Sequence, residues 1–290
     1  MKHVILTPNP YRDHDFQTVR TAMQILKDAG VEAKVCLPFE VDRSFELPKD
    51  IRFHRLDREL GNAEMVICFG GDGTILHMAK AATKRNIPIL GVNIGTMGFM
   101  AELESTELDK LALLADGNYM LDSRMMLDVT IQRDRDIIFH DICLNDVVIT
   151  KGAVARIVHL QVKCDGVCAM ETGGDGIIVS TPTGSTGYNL SAGGPIVEPG
   201  SKLIVLTPIC PHTLIQRSIA LASDDVVEIE IPMGREDMPQ TVEVHFDGSH
   251  RIILQTGDRI RIVKSEESIK FVQLNQVSFL EVLHKKMREA

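Results

Sequence analysis

The chain has 290 residues, 44% hydrophobic and 24% charged, with a formal net charge of −9. That length holds one large or two ordinary domains with proper cores, and the composition is that of a soluble globular protein. The acidic balance argues against a nucleic-acid-binding surface, which is normally basic, but not against a local positive cleft for a small anion. No apolar run approaches the roughly 20 residues that a spanning helix needs, and residues 1–8 read as a strand rather than a signal peptide. Cys36, Cys68, Cys143, Cys164, Cys168 and Cys210 lie mostly inside apolar segments, as reduced thiols of a cytoplasmic protein do. Cys164 and Cys168 form a lone CxxxC, too little for a zinc site. The sequon Asn189-Leu190-Ser191 has no meaning without a secretory signal.

After the first strand, Pro8-Asn9-Pro10 is a turn. A helix is expected over 13–29, with Phe16, Val19, Met23 and Leu26 on one face and Gly30 as its stop. A strand follows at 31–37. Residues 38–60 are polar and irregular and receive no assignment. Next come a buried strand at 65–69, a helix at 75–84, a strand at 87–92 and a helix at 106–115. This alternation to residue 122 predicts a doubly wound parallel sheet of Rossmann or flavodoxin type. From Met125 the pattern changes to strands at 125–132, 136–140, 143–150, 157–163, 166–170, 176–180, 203–207, 226–231, 241–246, 251–255, 259–264 and 269–273. Turn residues recur among them, as in a β-rich, all-β sandwich-like domain. The expected organisation is an α/β domain over 1–122 and a β-rich domain over 123–275. A last helix within 276–290 is expected to pack back on the first domain.

Gly70-Gly71-Asp72-Gly73-Thr74 joins the strand at 65–69 to the helix at 75–84. In α/β sheets ligands bind at such turns. Three glycines would let the backbone take up positive φ and let a phosphate come close to bare N–H groups, and the helix N-terminus adds partial positive charge. An ordinary tight turn could look the same, and the run is neither a Walker A loop nor a GxGxxG fingerprint. Asp72 is the odd member. A carboxylate in a phosphate cradle repels the ligand unless it binds a metal or takes a proton, so it is a catalytic candidate. A second cluster, Gly173-Gly174-Asp175-Gly176, runs through Ile177, Ile178 and Val179 into Ser180, Thr181, Thr183, Ser185 and Thr186, then a helical stretch from Tyr188 to Ala192. Hydroxyls and free N–H groups at a helix start suit phosphate and ribose oxygens. No Lys or Arg lies within either loop, so a metal and backbone amides are expected to carry much of the charge neutralisation.

With these stretches in hand, the sequence resembles the NAD kinases, which phosphorylate the adenosine 2′-hydroxyl of NAD. The resemblance rests on GGDGT at 70–74, GVNIGTMGF at 91–99, LNDVVI at 144–149, GDGIIVSTPTGSTGYNLSAGGPI at 174–196, CPHTL at 210–214 and FDG at 246–248. Diacylglycerol and sphingosine kinases and phosphofructokinases carry relatives of GGDGT alone, whereas the long tract is specific. The resemblance implies that Asp72 is the general base, with Gly73 beside it. It implies that Asn145 and Asp146 hold the acceptor ribose and nicotinamide end; many members have Glu at the second of these positions, and Asp has a shorter reach. Asp175 is then a nicotinamide-side contact, and Thr186, Gly187, Tyr188, Asn189, Leu190 and Ser191 form a loop around adenine and ribose. Arg156, His77 and Asp247 complete the nucleotide set, although His77 also reads as an ordinary helix-surface residue and Asp247 as a turn residue.

The resemblance further implies ATP as donor, NAD as acceptor, Mg²⁺ or another divalent cation, and a cytoplasmic homo-oligomer, dimer or tetramer, with no nucleic-acid or membrane partner. Asp72 is expected to face a cleft against the β-rich domain. A lipid kinase of the same GGDG superfamily is disfavoured because 174–196 offers hydroxyls rather than an apolar groove. A non-catalytic NAD-sensing module would have no use for Asp72.

Overall fold

The structure, a computed structural model, describes residues 1–42, 44–95, 98–152, 156–213, 217–275 and 277–289. Positions 96–97 of the 91–99 motif, 214 of CPHTL, and 276 and 290 of the last expected helix lie outside the described residues. The chain divides into two compact units, Met1–Ser123 with Ile269–Ala290, and Arg124–Ser268.

In the first unit, parallel strands lie side by side in the order Phe53–His54, Glu32–Cys36, His3–Pro8, Met65–Gly70, Ile89–Asn93. The sheet grows one way from His3–Pro8 and then the other way from Met65–Gly70, so its switch point falls between these two strands. Continuous apolar runs make strands buried on both faces. Val4, Leu6, Met65, Ile67, Phe69, Leu90 and Val92 share a core with Val19, Ala22 and Leu26 of the helix Gln17–Asp28 and with Leu108, Leu111 and Leu114. The alternate residues Ile5, Val66, Cys68 and Ile89 are equally buried. On that opposite face the helix Asp72–Thr83 buries Ile75, Met78, Ala79 and Ala82. A Cβ at Gly91 would stand 2.6 Å from Ile75 Cδ1. Helices therefore cover both faces, as the doubly wound reading requires.

Some boundaries shift. The helix expected over 13–29 starts at Gln17 after a 3₁₀ turn His14–Phe16. Buried Asp13 holds that start by accepting from Thr18 N and Val19 N at 2.9 and 3.0 Å. The segment expected as a helix at 106–115 is a 3₁₀ helix, Leu108–Leu114. The unassigned stretch 38–60 contains the strand Phe53–His54 and the short helix Leu56–Glu59.

The second unit is β-rich. One antiparallel sheet runs in the order Ile219–Ala222, Leu203–Ile209, Gly176–Ser180, Asp146–Lys151, Thr241–Phe246, His250–Gln255. A second layer pairs Val167–Gly174, Val158–Cys164, Val227–Glu230 and Arg259–Gln273, and Met120–Arg133 pairs with Asp136–Cys143. Inward residues from both layers, among them Val129, Val147, Leu160, Val179, Ile229 and Phe246, form one core, the packing of a sandwich.

Two expectations are corrected here. The strands expected at 259–264 and 269–273 are one strand, Arg259–Gln273. The polar Ser265-Glu266-Glu267-Ser268 interrupts the apolar pattern without ending the extended backbone. From Ile269 this strand belongs to the first unit, where Phe271 pairs in parallel with Ile89. The sequence reading also leaves out the strand Ile219–Ala222, a short edge strand that among the described residues pairs only with Leu203–Ile209.

Candidate functional site

In the first unit a cavity of about 450 Å³ opens at the switch point, lined by Asn9, Arg12, Phe39, Gly71, Asp72, Gly73, Thr74, His77 and Gly98. This is where a doubly wound sheet binds ligands. The helix begins at Asp72 itself, so the carboxylate sits in its first turn. Asp72 Oδ2 accepts from Phe99 N at 2.8 Å and Oδ1 from Met100 N at 3.0 Å. Gly98 permits this, since a Cβ there would collide with the Asp72 carboxylate. Asn9 Nδ2 donates to Thr74 Oγ1 at 3.0 Å, tying the end of the first strand to the helix start. His77 is exposed and meets Phe39 edge-on at 5.5 Å.

One of the two roles expected of the glycines, positive φ, is corrected. None of Gly70, Gly71 and Gly73 has positive φ, and Gly71 lies at φ −100°. A Cβ at Gly71 or Gly73 would meet no protein atom within 4 Å. Their bareness leaves room at the cavity rather than supplying an unusual turn. The loops themselves hold no Lys or Arg, but the fold brings Arg12, from the turn after the first strand, to the cavity wall, where it shares the charge neutralisation expected of metal and amides. A second cation stands close by. Lys286 on the helix Phe279–Glu289 places Nζ 3.4 Å above the Phe99 ring.

In the second unit the site forms where two turns lie back to back. Asp247 Oδ2 accepts from Leu144 N at 2.9 Å, and Oδ1 from Asn145 N and Asp146 N at 2.7 and 3.2 Å. Thr181 Oγ1 donates to Leu144 O at 2.6 Å and accepts from Gly184 N at 3.0 Å, while Thr181 N donates to Asn145 O at 2.9 Å. The Asn145 backbone lies so close to Gly184 that a Cβ there would strike its carbonyl. These bonds aim the Asn145 and Asp146 side chains toward the loop at Gly187, whose Cβ would stand 3.7 Å from Asn145 Nδ2 and 4.0 Å from Asp146 Oδ2. Burial, and then the charge of Asp247, raises the Asp146 carboxyl to about 7. Asn145 Oδ1 and Thr183 Oγ1 are buried and have no hydrogen-bond partner among the described residues. Buried polar atoms are normally paired, so two unfilled acceptors point to a polar ligand.

The other candidates separate. Asn189 is fully buried: Nδ2 donates to Ser185 O and Pro195 O at 2.9 Å, and Oδ1 accepts from Thr207 Oγ1 at 2.6 Å. It holds the loop and has no group left for a ligand. Tyr188, Leu190 and Ser191 are exposed, and Thr186 and Gly187 half-buried. Asp175 pairs with Lys151 Nζ at 2.6 Å. Lys151 and exposed Arg156 line a different cavity of about 640 Å³ with His159, Arg235, Gln240 and Glu243. Thr183 is one of the hydroxyls read from the sequence, whereas Lys151, Arg12 and Lys286 give no signal there, since each acquires its neighbours only through the fold. Among the described residues one group has metal-ligand spacing, Cys164, Asp165 and Asp225, and it includes none of the site candidates.

Residues 4–116 match the ATP-NAD kinase N-terminal domain family, and residues 144–274 match the ATP-NAD kinase C-terminal domain family. The NAD kinase of Lachnoclostridium phytofermentans is 39% identical over 293 residues, 99% of each chain. Among solved structures, a yeast NADH kinase complexed with NADH aligns with a TM-score of 0.84 at 24% identity, over 99% of this chain and 88% of that one, a likeness of fold. An NAD kinase from Archaeoglobus fulgidus in complex with ATP aligns with a TM-score of 0.75 at 25% identity, over 100% of both chains.

Proposed function

The chain belongs to the NAD kinase family, and from that premise we propose which of its residues carry the transfer of the ATP γ-phosphoryl group to the 2′-hydroxyl of NAD. ATP and NAD are the substrates and NADP the product. Asp72 takes the proton of the attacking hydroxyl. One observation carries this reading: the Asp72 carboxylate is pinned at the switch-point cavity by one backbone N–H on each oxygen. Each oxygen keeps a further lone pair for a substrate proton. A base positioned in this way typically contributes roughly 10²–10⁴-fold. Gly71 and Gly73 admit phosphate oxygens to the helix start, and Arg12 and the helix N-terminus offset the repulsion from Asp72. His77 borders the same cavity as a nucleotide contact.

A divalent cation bound with the triphosphate would bridge and neutralise its oxygens. The cavity lining offers one carboxylate, Asp72, and both its oxygens already accept amides. That suits an ion carried in by the nucleotide rather than caged by the protein. In the second unit, Asn145 Oδ1, Thr183 Oγ1 and ionised Asp146 receive donors from the acceptor dinucleotide, with Asp247 fixing their turn. Thr186, Gly187, Tyr188, Leu190 and Ser191 provide the adenine–ribose surface, Asn189 holds its shape, and Asp175 and Arg156 serve the nicotinamide side. Among the described residues no helix is long and apolar enough to cross a membrane. The buried thiols Cys36, Cys68 and Cys143 support a cytoplasmic setting, and the homo-oligomer is carried by the family resemblance.

The test is incubation with ATP, Mg²⁺ and one of NAD, NADH, AMP or diacylglycerol, with products read by mass spectrometry. NADP is the expected product, and AMP should be a poor acceptor because binding energy from the nicotinamide half positions the hydroxyl. Phosphorylated lipid without NADP would overturn the assignment.

A further inference from the structure

We propose that Lys286 binds the triphosphate of the nucleotide donor beside Asp72. Its Nζ is buried and has no hydrogen-bond partner among the described residues. An ammonium brings three donors and no acceptor, and a buried charge normally has a partner. What surrounds Lys286 is the Phe99 ring, 3.4 Å below Nζ, and two carboxylates, Asp72 and Glu104, that act on it electrostatically without a hydrogen bond. Both carboxylates have partners of their own. Asp72 holds the amides of Phe99 and Met100, and Glu104 Oε2 accepts from Asn93 Nδ2 at 2.8 Å. Burial lowers the ammonium to about 8 against the pull of these two acids, as expected where the acceptor is absent from the protein itself.

The missing acceptor can be read from the neighbourhood. Phe99 links the two groups, since its amide fixes Asp72 and its ring carries Lys286. One turn thus sets a carboxylate and a cation at one place. An anion arriving at bare Gly71 and Gly73 meets Arg12 within the cavity lining, and Lys286 adds a charge that neither glycine loop contains. A chain of phosphates matches this arrangement, because it is anionic along its length and accepts from several donors at once. Both ATP and the pyrophosphate of NAD have that chemistry. The inference rests on Asp72 marking the phosphoryl-transfer site, which favours the donor. Lys286 supplies charge and position and exchanges no proton with the reacting atoms.

The experiment measures, by calorimetry on the full chain, binding of a non-hydrolysable ATP analogue with Mg²⁺ and, separately, of NAD. It uses the parent, Lys286→Met and Lys286→Arg. Lys286→Met should weaken the analogue about tenfold or more, leave NAD within about twofold, and leave the melting temperature at or above that of the parent, since Met packs well on an aromatic ring. Lys286→Arg should recover part of the loss. Unchanged analogue affinity in Lys286→Met, a loss confined to NAD, or an equal loss for both ligands would each overturn the proposal. Because binding is read without turnover, the outcome is independent of whether Asp72→Asn retains activity, so this inference and the base assignment can fail separately.

Discussion

Asp146 is 6% exposed, and burial, reinforced by the Asp247 charge, raises its carboxyl to about 7. An unfolded aspartate titrates near 3.9, so between about pH 4 and pH 7 the folded chain holds a proton that the unfolded chain has released. The contribution of this group to stability is therefore most favourable in acid and falls as pH rises through about 7. A separation of about 3 pH units at roughly 1.4 kcal/mol each puts the full cost of the buried carboxylate at roughly 4 kcal/mol. Asp146→Asn keeps the size, abolishes the titration and turns an N–H toward Asp247. Between pH 5 and pH 8 the variant should gain on the parent by roughly 2–3 kcal/mol. For a unit of this size that is on the order of 5–10 °C in melting temperature. Paired thermal melts across that pH range give the difference directly. A difference that stays flat with pH would refute the placement of a buried, ionisable Asp146 beside Asp247. The more stable variant should also bind NAD more weakly, since the ionised carboxylate is assigned to receive ligand hydroxyls.

Asn145→Ala removes one of the two unfilled acceptors and should raise the KM for NAD by roughly 5- to 150-fold, the equivalent of about 1–3 kcal/mol, with the KM for ATP little changed; a selective rise for ATP in steady-state assays would contradict the assignment. Gly98→Ala inserts a methyl where the Asp72 carboxylate sits and should lower kcat by about tenfold or more, measured with saturating substrates; an unaffected kcat would mean that the pinned geometry of Asp72 is not needed. EDTA should abolish turnover, reversibly on adding Mg²⁺, without moving the melting temperature, because the ion arrives with the nucleotide; a fall of many degrees would instead reveal a structural metal.

The parallel sheet was legible because 65–69 and 87–92 are uninterrupted apolar runs, which only a doubly covered sheet accommodates. The candidate site was legible where its residues are contiguous, as in 70–74, 144–149 and 174–196. It became illegible wherever a partner comes from elsewhere in the chain. Lys151 finds Asp175, Arg12 finds the glycine loop and Lys286 finds Phe99 only through tertiary packing. At Gly71 and Gly73 the sequence left two roles open. A glycine can be needed for backbone angle or for space, and here space decides. Asn189 shows the opposite limit. Its place in a ligand loop was readable, but its burial and three satisfied hydrogen bonds make it a support of that loop.

The central claim is that Asp72 is the base. Asp72→Asn alters one atom and leaves the side chain about the same size, although its new N–H₂ must face one of the two amides that now donate to the carboxylate. Single-turnover kinetics with ATP, Mg²⁺ and NAD, alongside calorimetric NAD binding, separates loss of the base from loss of the substrate. The account predicts a fall of roughly 10²-fold or more in the rate of NADP formation, with NAD affinity within a few-fold of the parent. A rate within a few-fold of the parent would contradict it.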